Sequence, residues 1–139
     1  MVTESNDPNQ APHLRLGRRG EELAAQYLRN EGWKIERQNF TTERGEIDIV
    51  ARREIEDGAA AMVAFVEVKS RRSGDRIAPE LSVTARKRRT IVRLGREYAD
   101  RHGGRREGYR FDVIAVDFDE EPPSIRHFEG AFDAKGNPY

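Results

Sequence analysis

Three acidic side chains, Glu46, Asp48 and Glu67, stand inside runs that otherwise read as buried β-strand, and Lys69 follows the last of them two positions on. An unpaired carboxylate in a low-dielectric interior costs many kcal/mol, so something positive is expected among them. Side chains alternate along a strand, which puts Glu46, Asp48 and Val50 on one face and Ile47 and Ile49 on the other. By the same period Glu67 and Lys69 share a face with Val63 and Phe65. If the two strands are neighbours, Asp48, Glu67 and Lys69 converge at one end of a sheet, where hard carboxylate oxygens suit Mg²⁺ or Mn²⁺. The plainer alternative is a satisfied ion-pair network in which Glu67 meets Lys69 or an arginine. Glu46 either joins the acidic group or pairs with an arginine.

Two further residues lie near this constellation in helical segments. Rotation by about 100° per residue sets Glu21 at the edge of the apolar stripe of a first helix and Glu22 on the opposite side. Glu21 is then the one that reaches inward, the alternative being an exposed first-turn acid that complements the helix dipole. Lys87 precedes Ile91 by four and Leu94 by seven, at the N-terminal end of the inward stripe of a second helix. With Arg71, Arg72, Arg86 and Arg88 it suggests phosphate contacts beside the acidic group. Its alternative is a lysine whose stem covers apolar surface while its head reaches water. Asp112 is read as the structural partner of an arginine. His13, His102 and His127 show no ligand spacing and none is proposed as catalytic.

The elements that must position these groups follow from periodicity. Apolar residues from Leu14 to Asn30 recur at helical spacing, and Gly32 stops that helix. "WKIERQNF" and "EIDIVAR" are strands joined by the turn "TTERG", with Gly45 serving the turn, and "AMVAFVEVK" reads as a central strand. Thr84 caps a helix that runs to about Arg101, after which "YRFDVIAVDF" and "IRHFEGAF" are strands. The order is αβββαββ. Residues 1–12 and 134–139 are polar and aperiodic and are expected to be flexible tails around one domain spanning 13–133.

The chain has 139 residues, no cysteine and a formal net charge of zero. That length suits a single core. Residues 69–110 nevertheless carry 14 Lys and Arg against 5 Asp and Glu. A basic segment of this kind is either a phosphate-facing surface or a solvated helix. No run of about 18 apolar residues offers a membrane span, and the N-terminal stretch lacks the pattern of a signal peptide, so a cytoplasmic location is expected. The motifs of P-loop nucleotide hydrolysis, serine hydrolysis and zinc proteolysis are missing.

The segments "GRRGEELAAQYL", "NFTTERGEIDIVA", "FVEVKSRR", "SVTARKRR", "RFDVIAVD" and "HFEGAF" together resemble the successive motifs of the bacterial YraN family, in the same order over roughly residues 14–133. That resemblance implies an α/β fold with a restriction-endonuclease-like core, a mixed central sheet flanked by helices, similar to archaeal Holliday-junction resolvases. It implies that Asp48 is the metal-binding aspartate, Glu67 the second carboxylate and Lys69 the lysine of the superfamily's Asp and Glu-x-Lys signature. Val68 would then lend its backbone carbonyl to the ion, and Glu21 would extend the metal site from the helix. The expected function is metal-dependent hydrolysis of DNA phosphodiester bonds, including branched or recombination intermediates. The alternative is a nucleic-acid-binding module whose nuclease-like site is vestigial or structural. A homodimer would be natural for cutting two strands.

Overall fold

The computed structural model describes residues 12–72, 83–104 and 106–138. Helix α1 spans Pro12–Asn30, β1 Lys34–Thr42, β2 Gly45–Ile55, β3 Ala60–Arg71, α2 Ala85–His102, β4 Glu107–Asp117 and β5 Ser124–Phe132, with a short 3₁₀ turn at Glu56–Gly58. The element order is the expected one. Pro12 opens α1, and the expected N-terminal tail otherwise lies outside the described residues.

Five strands form one mixed sheet in the order β1-β2-β3-β4-β5. Every neighbouring pair is antiparallel except β3 and β4, which run parallel and are joined through α2. A parallel pair needs a long crossover, and the basic helix supplies it. On one face α2 lays Ile91, Leu94 and Tyr98 against Val50, Phe65 and Val113. On the other, Ala24, Ala25 and Leu28 of α1 cover Ile49, Val66 and Ile114. The central strand β3 is buried on both sides, which accounts for its near-continuous apolar run.

The helix ends use the residues that the sequence singles out. Thr84 Oγ1 accepts the Lys87 backbone N–H at 3.2 Å, capping α2. Gly32, at φ 92°, ends α1, and the Trp33 N–H donates to the Leu28 carbonyl at 2.9 Å.

One expectation changes. Ile47 and Ile49 do not share a face: Ile47 enters the α2-side core and Ile49 the α1-side core. The register pairs Gln38 with Ile49 and Phe40 with Ile47, so Asn39 stands opposite Asp48. Asn39 has φ 54°, a left-handed conformation that breaks the alternation there. After β5, Asp133 Oδ1 accepts the backbone N–H groups of Lys135 and Asn137, both at 2.9 Å, closing a turn.

Candidate metal centre

The ladder between β2 and β3 runs from Ile55 and Ala60 to Ile49 and Val66, and stops there. Where the strands part, the Val68 N–H donates instead to Asp48 Oδ2 at 2.8 Å. The carboxylate thus takes over the role of a backbone acceptor, which fixes its position.

Glu46 arrives on the same strand, and Glu21 arrives from α1. One carboxylate oxygen from each of Glu21, Glu46 and Asp48 lies within 4.8 Å of the others. Glu21 can approach because Gly20 packs against β3: a Cβ there would sit 1.8 Å from Ser70 Oγ. Gly45 plays the equivalent part on the other side, since at φ 150° its Cβ would lie 2.7 Å from Thr90 Cγ2 of α2. Asn39, with its amide oriented to donate, bridges Glu21 Oε1 at 2.7 Å and Glu46 Oε1 at 3.0 Å. Thr41 Oγ1 donates to the other Glu46 oxygen at 3.3 Å.

Glu67 is buried beside this trio. Its Oε1 is 2.8 Å from Lys87 Nζ, and its Oε2 is buried with no hydrogen-bond partner among the described residues. Lys87 therefore faces the carboxylates, the inward placement that its position on the helix stripe suggests. Lys69 lies two residues beyond Glu67 on β3, half-buried, with no hydrogen bond or ion pair among the described residues.

The crowding of like charges appears in the titration of these groups. Burial, followed by the Glu46 and Glu67 charges, pushes the Glu21 carboxyl up to about 7. Asp48 is raised well above the usual carboxylate range, first by burial and then by Glu67, against the opposing pull of the Val68 N–H. Burial lowers Lys87, but the charge and hydrogen bond of Glu67, with Asp48 and Glu46 behind it, more than offset this and leave it raised. Glu21 and Asp48 thus resist ionisation unless more positive charge than Lys87 supplies is brought beside them.

The donor set fits a hard divalent cation. The donors are all oxygens, three carboxylates sit within reach of one point, and Glu67 Oε2 is an orphaned acceptor beside them. Of the residues expected to bind metal, Asp48 and Glu21 meet directly, and Glu46 completes the trio. Glu67 is turned toward Lys87. At Val68 the recorded contact is made by the amide. Asn39 was not singled out from the sequence, although an Asn inside a strand pattern is a signal, being a poor strand former that tolerates left-handed φ.

The basic residues divide. Arg86 lines a cleft of about 430 Å³ with Glu46, Asp48 and Lys87. Arg88 is engaged in packing, donating to the carbonyls of Val83 at 2.5 Å and Gly136 at 2.8 Å. Arg71 ends β3 half-buried and Arg72 follows it, exposed.

Asp112 belongs to a separate network. Fully buried, it takes two hydrogen bonds from Arg110 at 2.9 Å, one from the Gly130 N–H at 3.0 Å, and meets His127 Nε2 at 2.7 Å. Burial raises its pKa, but the His127, Arg110 and Gly130 hydrogen bonds prevail and leave it low. The expected arginine partner is thus Arg110, joined by His127, whose Nδ1 lies 3.2 Å from the Tyr27 hydroxyl of α1.

A mixed five-stranded sheet with a helix on each face, and acidic side chains gathered where β2 and β3 separate, is an α/β fold consistent with a restriction-endonuclease-like core. The family profile described as "Uncharacterised protein family UPF0102" matches residues 20–116. A UPF0102 protein of Anaeromyxobacter dehalogenans (strain 2CP-C) is 44% identical over 88% of this chain and 87% of its own. One from Syntrophotalea carbinolica is 44% identical over 88% of this chain and 95% of its own, and one from Geobacter metallireducens 41% over 85% and 92%. The chain belongs to the UPF0102 family, the YraN family whose motifs its sequence resembles.

Proposed function

We propose that the protein is a divalent-metal-dependent nuclease that hydrolyses DNA phosphodiester bonds. The observation that carries this reading is the approach of Glu21, Glu46 and Asp48 to within 4.8 Å beside buried Glu67, whose Oε2 has no hydrogen-bond partner among the described residues. Asp48, Glu21 and Glu46 would hold Mg²⁺ or Mn²⁺, and Glu67 would offer its free oxygen. A bound ion supplies a water of lowered pKa and polarises a phosphate oxygen. Lys69, two positions beyond Glu67 on β3 and with no ion pair among the described residues, would orient the attacking water or offset charge developing on the phosphate. Asn39 holds Glu21 and Glu46 apart and aimed at one point. Lys87 holds Glu67 in place through its Oε1. Branched as well as linear DNA belongs to the substrate range that the family resemblance implies.

Replacing Asp48 or Lys69 by alanine is expected to lower Mn²⁺-dependent cleavage of fluorescent DNA by at least about 10²-fold while the circular dichroism spectrum is kept. An unaltered rate in either variant would refute the assignment.

The Lys87–Glu67 ion pair favours a second reading, a nucleic-acid-binding module in which a lysine has taken the place of the ion. Such a protein would bind DNA with strong salt dependence, need no divalent cation and leave the strand intact.

A further inference from the structure

The outer surface of α2 carries Arg86, Arg89, Arg93 and Arg96, all exposed. Spacings of three, four and three residues confine them to an arc of about 80° on the helix. Arg86, at the first turn, lines the cleft that holds Asp48 and Glu46. Arg89, Arg93 and Arg96 line a second cleft of about 420 Å³ farther along the helix. The two clefts meet at the β1–β2 turn, where Gly45 belongs to the first and Arg44 to the second.

The surrounding structure holds this surface in place. Arg44 is tied to Glu97 at 2.5 Å, which fixes the hairpin against α2. The turn built on Asp133 is anchored by Arg88 to the Gly136 carbonyl and by Arg96 to the Ala134 carbonyl, at 2.8 and 3.2 Å. It carries Lys135 into the second cleft. Glu97 and Asp100 mark the far end of the stripe.

We propose that this stripe is a backbone track: the DNA strand flanking the scissile phosphate runs from the acidic centre along α2, over Arg86, Arg89, Arg93 and Arg96, and past Lys135. This deepens the proposed nuclease function and rests on it for the position of the scissile phosphate. Ten residues of helix span about 15 Å. Phosphates recur at regular intervals along a DNA strand, so a row of that length meets successive phosphates. Guanidinium forks suit phosphate oxygens, and a regular row of them is sequence-neutral, reading charge spacing instead of base edges. Along α2, Lys87 is engaged by Glu67 and Arg88 by the Val83 and Gly136 carbonyls, while Arg89 and Arg93 stand exposed on the stripe and Arg96, also exposed, reaches the Ala134 carbonyl at its far end.

The test is fluorescence anisotropy of a labelled DNA duplex in EDTA across a series of NaCl concentrations. It compares wild type, Arg89→Glu/Arg93→Glu, the milder Arg89→Ala/Arg93→Ala, and Arg29→Glu/Lys34→Glu, which makes the same charge change at exposed positions outside the stripe. Thermal unfolding checks that each variant is folded. The proposal expects at least about tenfold weaker binding for the Arg89/Arg93 glutamate variant, and a salt slope shallower by about two for the alanine variant, with Arg29→Glu/Lys34→Glu close to wild type. Wild-type affinity and slope in both Arg89/Arg93 variants would overturn the track, whether or not the wild type cuts DNA with Mn²⁺. Weakened binding by those variants in a wild type that does not cut would uphold the track and remove the nuclease reading. A wild type that neither binds nor cuts DNA would overturn both.

Discussion

Asp48 and Glu21 are held in a state that disfavours their own ionisation, and this has a measurable consequence. Both folded-state pKa values lie above those of the unfolded chain, so the folded protein binds these protons more tightly. The stability that follows is present below the unfolded values and is lost as pH rises through the folded ones. For Glu21 that window runs from its ordinary 4.5 to about 7, and for Asp48 it extends higher. The metal-free protein should therefore lose about 5 °C in Tm between about pH 5 and pH 8. Saturating Mg²⁺ should restore the loss, and Asp48→Asn should flatten the profile. A Tm that climbs over this range in thermal denaturation would contradict the account. Asp48, Glu67 and Glu21 stood out in the sequence because carboxylates in strand interiors and on a stripe edge are expensive. The partner of Glu67 was less so: alternation shows which face a side chain takes, but not that a lysine twenty residues on crosses to it.

At the scale of elements, the site depends on how closely α1 and the β1–β2 hairpin approach their neighbours. Gly20 and Gly17 lie on the same helix and differ only in what surrounds them. A Cβ at Gly20 would clash with Ser70 Oγ, whereas one at Gly17 meets nothing within 4 Å. Gly20→Ala should cost about 1–3 kcal/mol by overpacking and lower cleavage by moving Glu21. Gly17→Ala should be neutral or stabilising by up to about 1 kcal/mol. Urea denaturation measures both, and equal behaviour of the two would show that α1 does not rest on β3 through Gly20. The elements themselves were visible in the sequence: the Thr84 cap, the Gly32 stop and the apolar run of β3 each have a local cause. The inversion at Asn39 was not, because it arises from the pairing of two strands and the demands of three carboxylates. The closed turn after β5 was hidden for a similar reason, since Asp133 organises residues that show no periodicity.

Across the whole molecule, two polar systems serve different ends. The Asp112 network ties β4 and β5 to α1 through His127 and Tyr27, and Arg110 stacks with Arg53 on the ring of Trp33, at 5.1 and 4.5 Å from its centre. Removing one partner of a buried ionic network leaves the others uncompensated. Asp112→Ala should destabilise the protein by about 3–5 kcal/mol, read as a shift in the urea midpoint. A change below about 1 kcal/mol would show that the network is not structural. The element order was visible in periodicity, but the sheet order β1-β2-β3-β4-β5 was not, because strand pairing is set by contacts far apart in the chain. Among the described residues no helix is long and apolar enough to cross a membrane.

The acidic centre at the parting of β2 and β3 is the centre of the account, and calorimetric titration of Mn²⁺ into wild-type and Asp48→Ala protein tests it most directly. The account predicts saturable binding with proton release in the wild type, since metal displaces the protons held by Glu21 and Asp48, and no binding in the variant. Equal binding by both proteins, or none by either, would contradict it.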